Sequence, residues 1–140
     1  MGGSISKENT RINLIVPKKI KRKAEAYAKV SNQSTGSTCL RILTNPVVTE
    51  KFHDAIFMKD GLILPFFREL DDMKEEGQER MNLVVPIQVK EQLQAEAEKR
   101  SMSLNGYIVS YLYYFFMAYY DQIFAEQAYD NIVKHVRIVD

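Results

Sequence analysis

The chain has 140 residues, 46% hydrophobic and 26% charged, a balance that excludes wholesale disorder and points to one domain or two very small ones. Cys39 is its only cysteine, which excludes an intrachain disulfide and makes a reducing, cytoplasmic compartment the default expectation. The net charge of +1 hides an uneven distribution: residues 1–45 hold nine Lys/Arg against two Asp/Glu, residues 46–79 hold four against nine, and residues 80–140 hold six against seven, so a polyanion is the partner expected for the first third.

Residues 1–10, MGGSISKENT, contain no apolar run behind a basic start, so they read as a flexible polar tail and not as a secretory leader. Gly2 followed by Ser6 also fits the loose myristoylation pattern, but the polar tail is the reading adopted. RINLIVP (11–17) then alternates between two faces as a strand does: Ile12, Leu14 and Val16 share one, and Arg11, Asn13 and Ile15 the other. Pro17 suits the first turn of a helix, where a missing N–H costs nothing. The spacing of Ile20, Ala24, Tyr27 and Ala28 predicts that helix over 18–30. SNQSTGS (31–37) breaks it, and Ser34 is a candidate N-cap for a second helix carrying Cys39, Leu40 and Leu43.

Residues 44–79 form a connector too long for a turn. Asn45-Pro46 stops the first unit. Val48, Phe52, Ala55 and Ile56 fall at helical spacing, and GLILPFF (61–67) is too apolar to be a free linker. The connector is therefore expected to pack on the rest, leaving only residues near 71–79 solvated.

At an offset of 69 residues the opening pattern returns. RMNLVVP (80–86) places Met81, Leu83 and Val85 on one face and Arg80, Asn82 and Val84 on the other. Without a gap, residues 11–43 and 80–112 share ten identities over 33 positions, among them Lys21/Lys90, Ala28/Ala97, Ser34/Ser103 and Leu43/Leu112. A helix over 87–100, a break at SMSLNGY (101–107) and a Ser103-capped helix complete the second copy. A lone strand of this length cannot stand by itself, and the duplication supplies it with an antiparallel partner. Mid-strand asparagine is disfavoured, so its duplication at Asn13 and Asn82 asks for a reason.

After Leu112 the chain continues as an aromatic-rich extension, 113–140. Two readings stand: a long core helix covering the connector, or a surface for self-association. The most apolar stretch, Tyr107 to Tyr120, has 14 residues, short of the roughly 20 that span a bilayer, so no membrane role is expected.

Strand, helix and Ser-capped second helix, above all in RMNLVVPIQVKEQLQAEAEKRSMSLNGYIVSYL (80–112), resemble the ribbon-helix-helix superfamily of Arc- and MetJ-type repressors. RINLIVPKKIKRKAEAYAKVSNQSTGSTCLRIL (11–43) is a looser second copy. The resemblance implies a mostly α protein with a short two-stranded antiparallel ribbon, organised as a tandem pseudo-dimer. It also implies a transcriptional regulator of repressor type that inserts the ribbon into the major groove of an operator with imperfect palindromic half-sites. The base readers would be Arg11, Asn13 and Ile15 with Arg80, Asn82 and Val84. Ile15 and Val84 depart from the polar residue the family often has there. Phosphates would be held at the second-helix starts, by Ser34 and Thr35 and by Ser103 and Leu104, and by Lys18 and Lys19.

The rival reading is a protein-interaction module, antitoxin-like or inhibitory, in which DNA is secondary. No Gly-rich phosphate loop, nucleophile elbow or pair of catalytic acids is present, and His53 and His135 are isolated from other ligand types. Neither an enzyme nor a cofactor is expected, and Cys39 reads as a small core residue.

Overall fold

The alternation in RINLIVP and RMNLVVP is realised as two strands, β1 (Asn9–Pro17) and β2 (Gln78–Pro86), which pair antiparallel in a two-stranded sheet. The computed structural model describes residues 8–57 and 60–119. Within it the fold is mostly helical: α1 (Lys18–Val30) and α2 (Thr35–Leu43) follow β1, and α3 (Pro46–Phe57) and α4 (Asp60–Glu75) form the connector. After β2 come α5 (Ile87–Lys99) and α6 (Leu104–Tyr114), and α6 runs into a π-helical turn at Phe115–Tyr119. The N-terminal segment 1–7, and residues 120–140 with His135, lie outside the described residues.

The two strands begin 69 residues apart, as do α1 and α5, and α2 and α6, so the repeat offset survives into the element boundaries. It also sets the register. Asn13 faces Asn82, its own repeat mate, and the pairs on either side are Arg11 with Val84 and Ile15 with Arg80. Finer details recur as well. The N–H of Lys18 donates to the Gly77 carbonyl and that of Ile87 to the Glu8 carbonyl, both at 3.0 Å, so each long helix has one of its first-turn donors satisfied by the chain entering the opposite strand. Two residues past the end of each helix stands a residue with positive φ, Asn32 (57°) and Ser101 (56°). The next N–H then reaches back five residues, Gln33 to Ala28 at 2.9 Å and Met102 to Ala97 at 3.0 Å, closing the same helix-terminating motif twice.

Pro17 and Pro86 each close their strand and stand as the N-cap, ahead of the first turn, with φ −57° and ψ 139° or 143°, so the helices begin at Lys18 and Ile87, the starts that the spacing predicts. The ring still fixes the turn from strand to helix, because its φ suits both conformations.

Packing follows the two periodicities. Ile12, Leu14 and Val16 of β1 and Met81, Leu83 and Val85 of β2 are all buried, and each such side chain contributes about 1.5–3 kcal/mol of transfer free energy. Above them α2 packs on β2 and α6 on β1, so each copy's second helix covers the other copy's strand. Ile20, Ala24 and Ala28 bury one stripe of α1, and Leu93 and Ala97 bury the matching stripe of α5. Helix α6 is different: every residue from Tyr107 to Tyr114 is buried, which leaves it no solvent face and places it centrally.

In the connector, Val48, Phe52 and Ile56 of α3 and Leu70 and Met73 of α4 are buried and Ala55 is partly buried, while the side chains of GLILPFF (61–67) lie outside the described residues. Asn45 starts α3: its Oδ1 accepts from the N–H groups of Val47 and Val48 at 2.9 and 3.3 Å. The acidic run 69–79 is largely helical and not a bare linker. Leu70 and Met73 give it an inner face, and it turns at Gly77 (φ 130°) into β2. Cys39 is fully buried in the core, and burial pushes its thiol up to about 12. No described helix is long and apolar enough to cross a membrane.

Candidate nucleic-acid interface

The face of the sheet opposite the core carries the six side chains expected to read bases. Arg11, Asn13, Ile15, Arg80, Asn82 and Val84 are all exposed, and Ile15 and Val84 are each about half exposed, at 49% and 48%. The register brings them into three cross-strand rows: Arg11 beside Val84, Asn13 beside Asn82, and Ile15 beside Arg80. An exposed isoleucine and valine gain little from the core, so they are surface groups available for apolar contact.

In an antiparallel pair alternate residues turn their N–H and C=O away from the partner strand. Ile15 is one of these. Its N–H donates to Asn105 Oδ1 at 2.9 Å, and its carbonyl accepts from Asn105 Nδ2 at 3.4 Å. One side chain from the first turn of α6 thus holds both polar groups of a β1 edge residue. Across the sheet, Lys21 Nζ donates to the Arg80 carbonyl at 3.1 Å and lies 3.9 Å from the Glu79 carboxylate.

The expected phosphate-binding residues lie at two helix starts and one basic run. Ser34 Oγ accepts from the Ser37 N–H at 3.1 Å, and Ser103 Oγ accepts from the Gly106 N–H at 3.0 Å, so both serines are N-caps as anticipated. Thr35 and Leu104 occupy the first helical positions after them and are partly buried. Their N–H groups precede the first full helical turn and have no carbonyl partner within the helix. Lys18 lies with its side chain over Gly77, and Lys19 Nζ is 3.8 Å from the Glu76 carboxylate.

Away from these residues, α3 and α5 flank an open groove of ≈ 750 Å³ with Leu43, Leu93 and Tyr107 along it. Glu50, Asp54 and Glu96 line it too. His53 Nε2 lies 2.6 Å from the Tyr107 hydroxyl. Burial, and next the Arg100 guanidinium, hold the His53 imidazole below its ordinary value, while burial pushes the Tyr107 hydroxyl up to about 12. Burial alone would lift the Glu96 carboxyl, but hydrogen bonds from Arg100 and Lys99 outweigh it and hold the group low. Arg100 also stacks 4.9 Å from the Phe57 ring centre. Among the described residues no group of three His, Cys, Asp or Glu side chains is placed to hold a metal ion.

Comparison with models of known protein families, with curated proteins and with solved structures gave no match. In the sequence Asn105 reads only as part of a helix start, and neither its bond to Ile15 nor that of Lys21 to Arg80 is foreseen there. The signal for the first lies in the aligned repeat, where Asn105 stands opposite Gly36, two residues after the matched serines Ser34 and Ser103.

Proposed function

We propose that the chain is a tandem ribbon-helix-helix pseudo-dimer that binds double-stranded DNA in a sequence-specific way and acts as a transcriptional regulator of repressor type. The observation that carries this reading is the register. Asn13 and Asn82 sit opposite one another at the centre of an exposed face, flanked on either side by one arginine and one apolar residue. Such a ribbon fits the major groove, which admits two antiparallel strands. Arginine can make a bidentate contact to guanine, asparagine to adenine, and an apolar side chain can meet a thymine methyl.

Arg11 and Arg80 lie two positions to either side of the asparagine row. At about 3.4 Å per residue they are roughly 14 Å apart along the strands, about four base-pair steps. Because Ile15 and Val84, and Lys18 and Ile87, differ between copies, the operator is an imperfect palindrome. The first-turn N–H groups of α2 and α6 fix register on the phosphates without reading sequence.

Replacing both Asn13 and Asn82 with alanine tests the assignment, since both are exposed and neither supports the core. Each is expected to remove about 1–3 kcal/mol of base discrimination and leave the fold intact. The measurement is gel-shift affinity for an operator selected from random duplex, with circular dichroism as the folding control. Unchanged affinity would sink the base-reading role.

The second reading, an interaction module, is favoured by the groove between α3 and α5, where Glu50 and Asp54 suit a basic segment of a protein partner while Glu96 is already paired with Lys99 and Arg100. Failure to bind any duplex at low salt would select it over the first.

A further inference from the structure

The two bonds to the sheet's outward edges are not scattered. Asn105 holds Ile15 of β1, and Lys21 holds Arg80 of β2, and Ile15 and Arg80 face one another across the sheet. Both edges are therefore tied at the same end. The opposite end is the Arg11–Val84 row. There the repeat mate of Asn105 is Gly36, which has no side chain to offer, and a Cβ built on Gly36 meets nothing within 4 Å. The repeat mate of Lys21 is Lys90, which makes no such bond to the Arg11 carbonyl among the described residues. A sheet whose side-chain pattern is nearly symmetric is thus held asymmetrically.

We propose that the ribbon is a polarised reading head in which Asn105 is a positioning residue. With Lys21, it fixes the Ile15–Arg80 end so that this end discriminates bases stringently. The Arg11–Val84 end, with Gly36 in place of the clamp, adjusts to the sequence it meets. This inference rests on the DNA-reading proposal above and adds an orientation to it. Contacts to bases discriminate only when their geometry is maintained, and a strand free to shift by a fraction of an ångström can re-form them on a different base. A chain carrying both strands in one polypeptide can keep such a difference, whereas a dimer of identical units cannot.

The test uses the full chain and two opposite variants. Asn105→Ala removes the existing clamp; Gly36→Asn adds one where space is open, so its result stands even if the first variant folds poorly. Amide hydrogen exchange followed by NMR, without DNA, is expected to show the Ile15 N–H roughly three- to tenfold slower than that of Val84, the range set by one net hydrogen bond. Asn105→Ala should erase the difference by speeding Ile15, and Gly36→Asn by slowing Val84. Selection from randomised duplex should then yield one narrow and one permissive half-site for the parent protein. Gly36→Asn should narrow the permissive half, and Asn105→Ala should broaden the narrow one. Equal exchange at Ile15 and Val84 in the parent overturns the clamp itself. Unequal exchange with two equally stringent half-sites overturns its consequence for reading. Selection that enriches no sequence at all overturns the DNA-reading proposal, and with it the reading head, while leaving the exchange difference as a separate result.

Discussion

Residues at matching positions of the two copies have been put to different uses, and Thr38 is the sharpest case. It is fully buried in α2, and its hydroxyl has no hydrogen-bond partner among the described residues. Its repeat mate, Tyr107, is also buried, but the tyrosine ring carries its hydroxyl out to His53. A short side chain at the same place reaches nothing, so Thr38 bears the desolvation cost of a polar group without the return. Valine has nearly the shape of threonine and a similar helix propensity. Thr38→Val is therefore expected to stabilise the protein by about 1 kcal/mol, read as a higher midpoint in urea with an unchanged slope. Destabilisation would mean that the hydroxyl has a partner the geometry does not reveal.

At the scale of elements, the end of α2 and the face of α3 are tied to α6 by polar as well as apolar contacts. Tyr111 donates to the Ile42 carbonyl at 2.8 Å and lies 2.7 Å from the Thr49 hydroxyl, and His53 meets Tyr107. The His53 imidazole is held below its ordinary 6.5, chiefly by burial. The unfolded chain then binds a proton more readily than the folded one. The stability His53 contributes is fully present above about pH 6.5 and is lost as the pH falls through its lower folded value. Glu96, also held low, loses its contribution only in the carboxylate range further down. Unfolding free energy is thus expected to decline between pH 7 and pH 5, and His53→Gln should flatten that decline. An equally steep decline in the variant would assign it to other groups. This tie was not legible in the sequence, because His53 and Tyr107 are 54 residues apart and no spacing rule joins them. Strands, long helices and serine caps were legible, since each is written in local periodicity or in one capping side chain. The parity of the strands also told which of their residues face solvent. What escaped was the edge: backbone groups that turn outward find partners by tertiary placement, so neither Asn105 nor Lys21 announced its role. The buried inner face of the acidic run escaped for a related reason, since two apolar residues among many charges are too few to mark a periodicity.

For the molecule as a whole, the exchange of second helices between strands and the uneven charge pull in different directions. α2 covers β2 and α6 covers β1, so the covering of the two strands is reciprocal. The charge does not follow that symmetry. KKIKRK (18–23) opens α1, whereas the same places in α5 read IQVKEQ (87–92). Part of the first run is already engaged, with Lys19 near Glu76 and Lys21 near Glu79. The Lys19 pair is solvent-exposed, and exposed ion pairs contribute little. A phosphate, with its charge concentrated and its counterions ready to leave, is expected to displace Glu76 from Lys19. DNA bound across the sheet would then draw more of its salt-sensitive affinity from the α1 side. Neutralising Lys18 and Lys19 to glutamine should reduce the slope of log affinity against log salt by roughly 0.9 for each phosphate no longer neutralised. The reverse exchange, Ile87→Lys with Gln88→Lys, should steepen it by a similar amount on the α5 side, where Ile87 is already exposed and the new charges meet solvent. Titrations of a fixed duplex at several salt concentrations measure both. A slope unmoved by the first pair would show that Lys18 and Lys19 do not meet the backbone, and the basic run would then be a solvated helix face beside the Glu76 and Glu79 carboxylates.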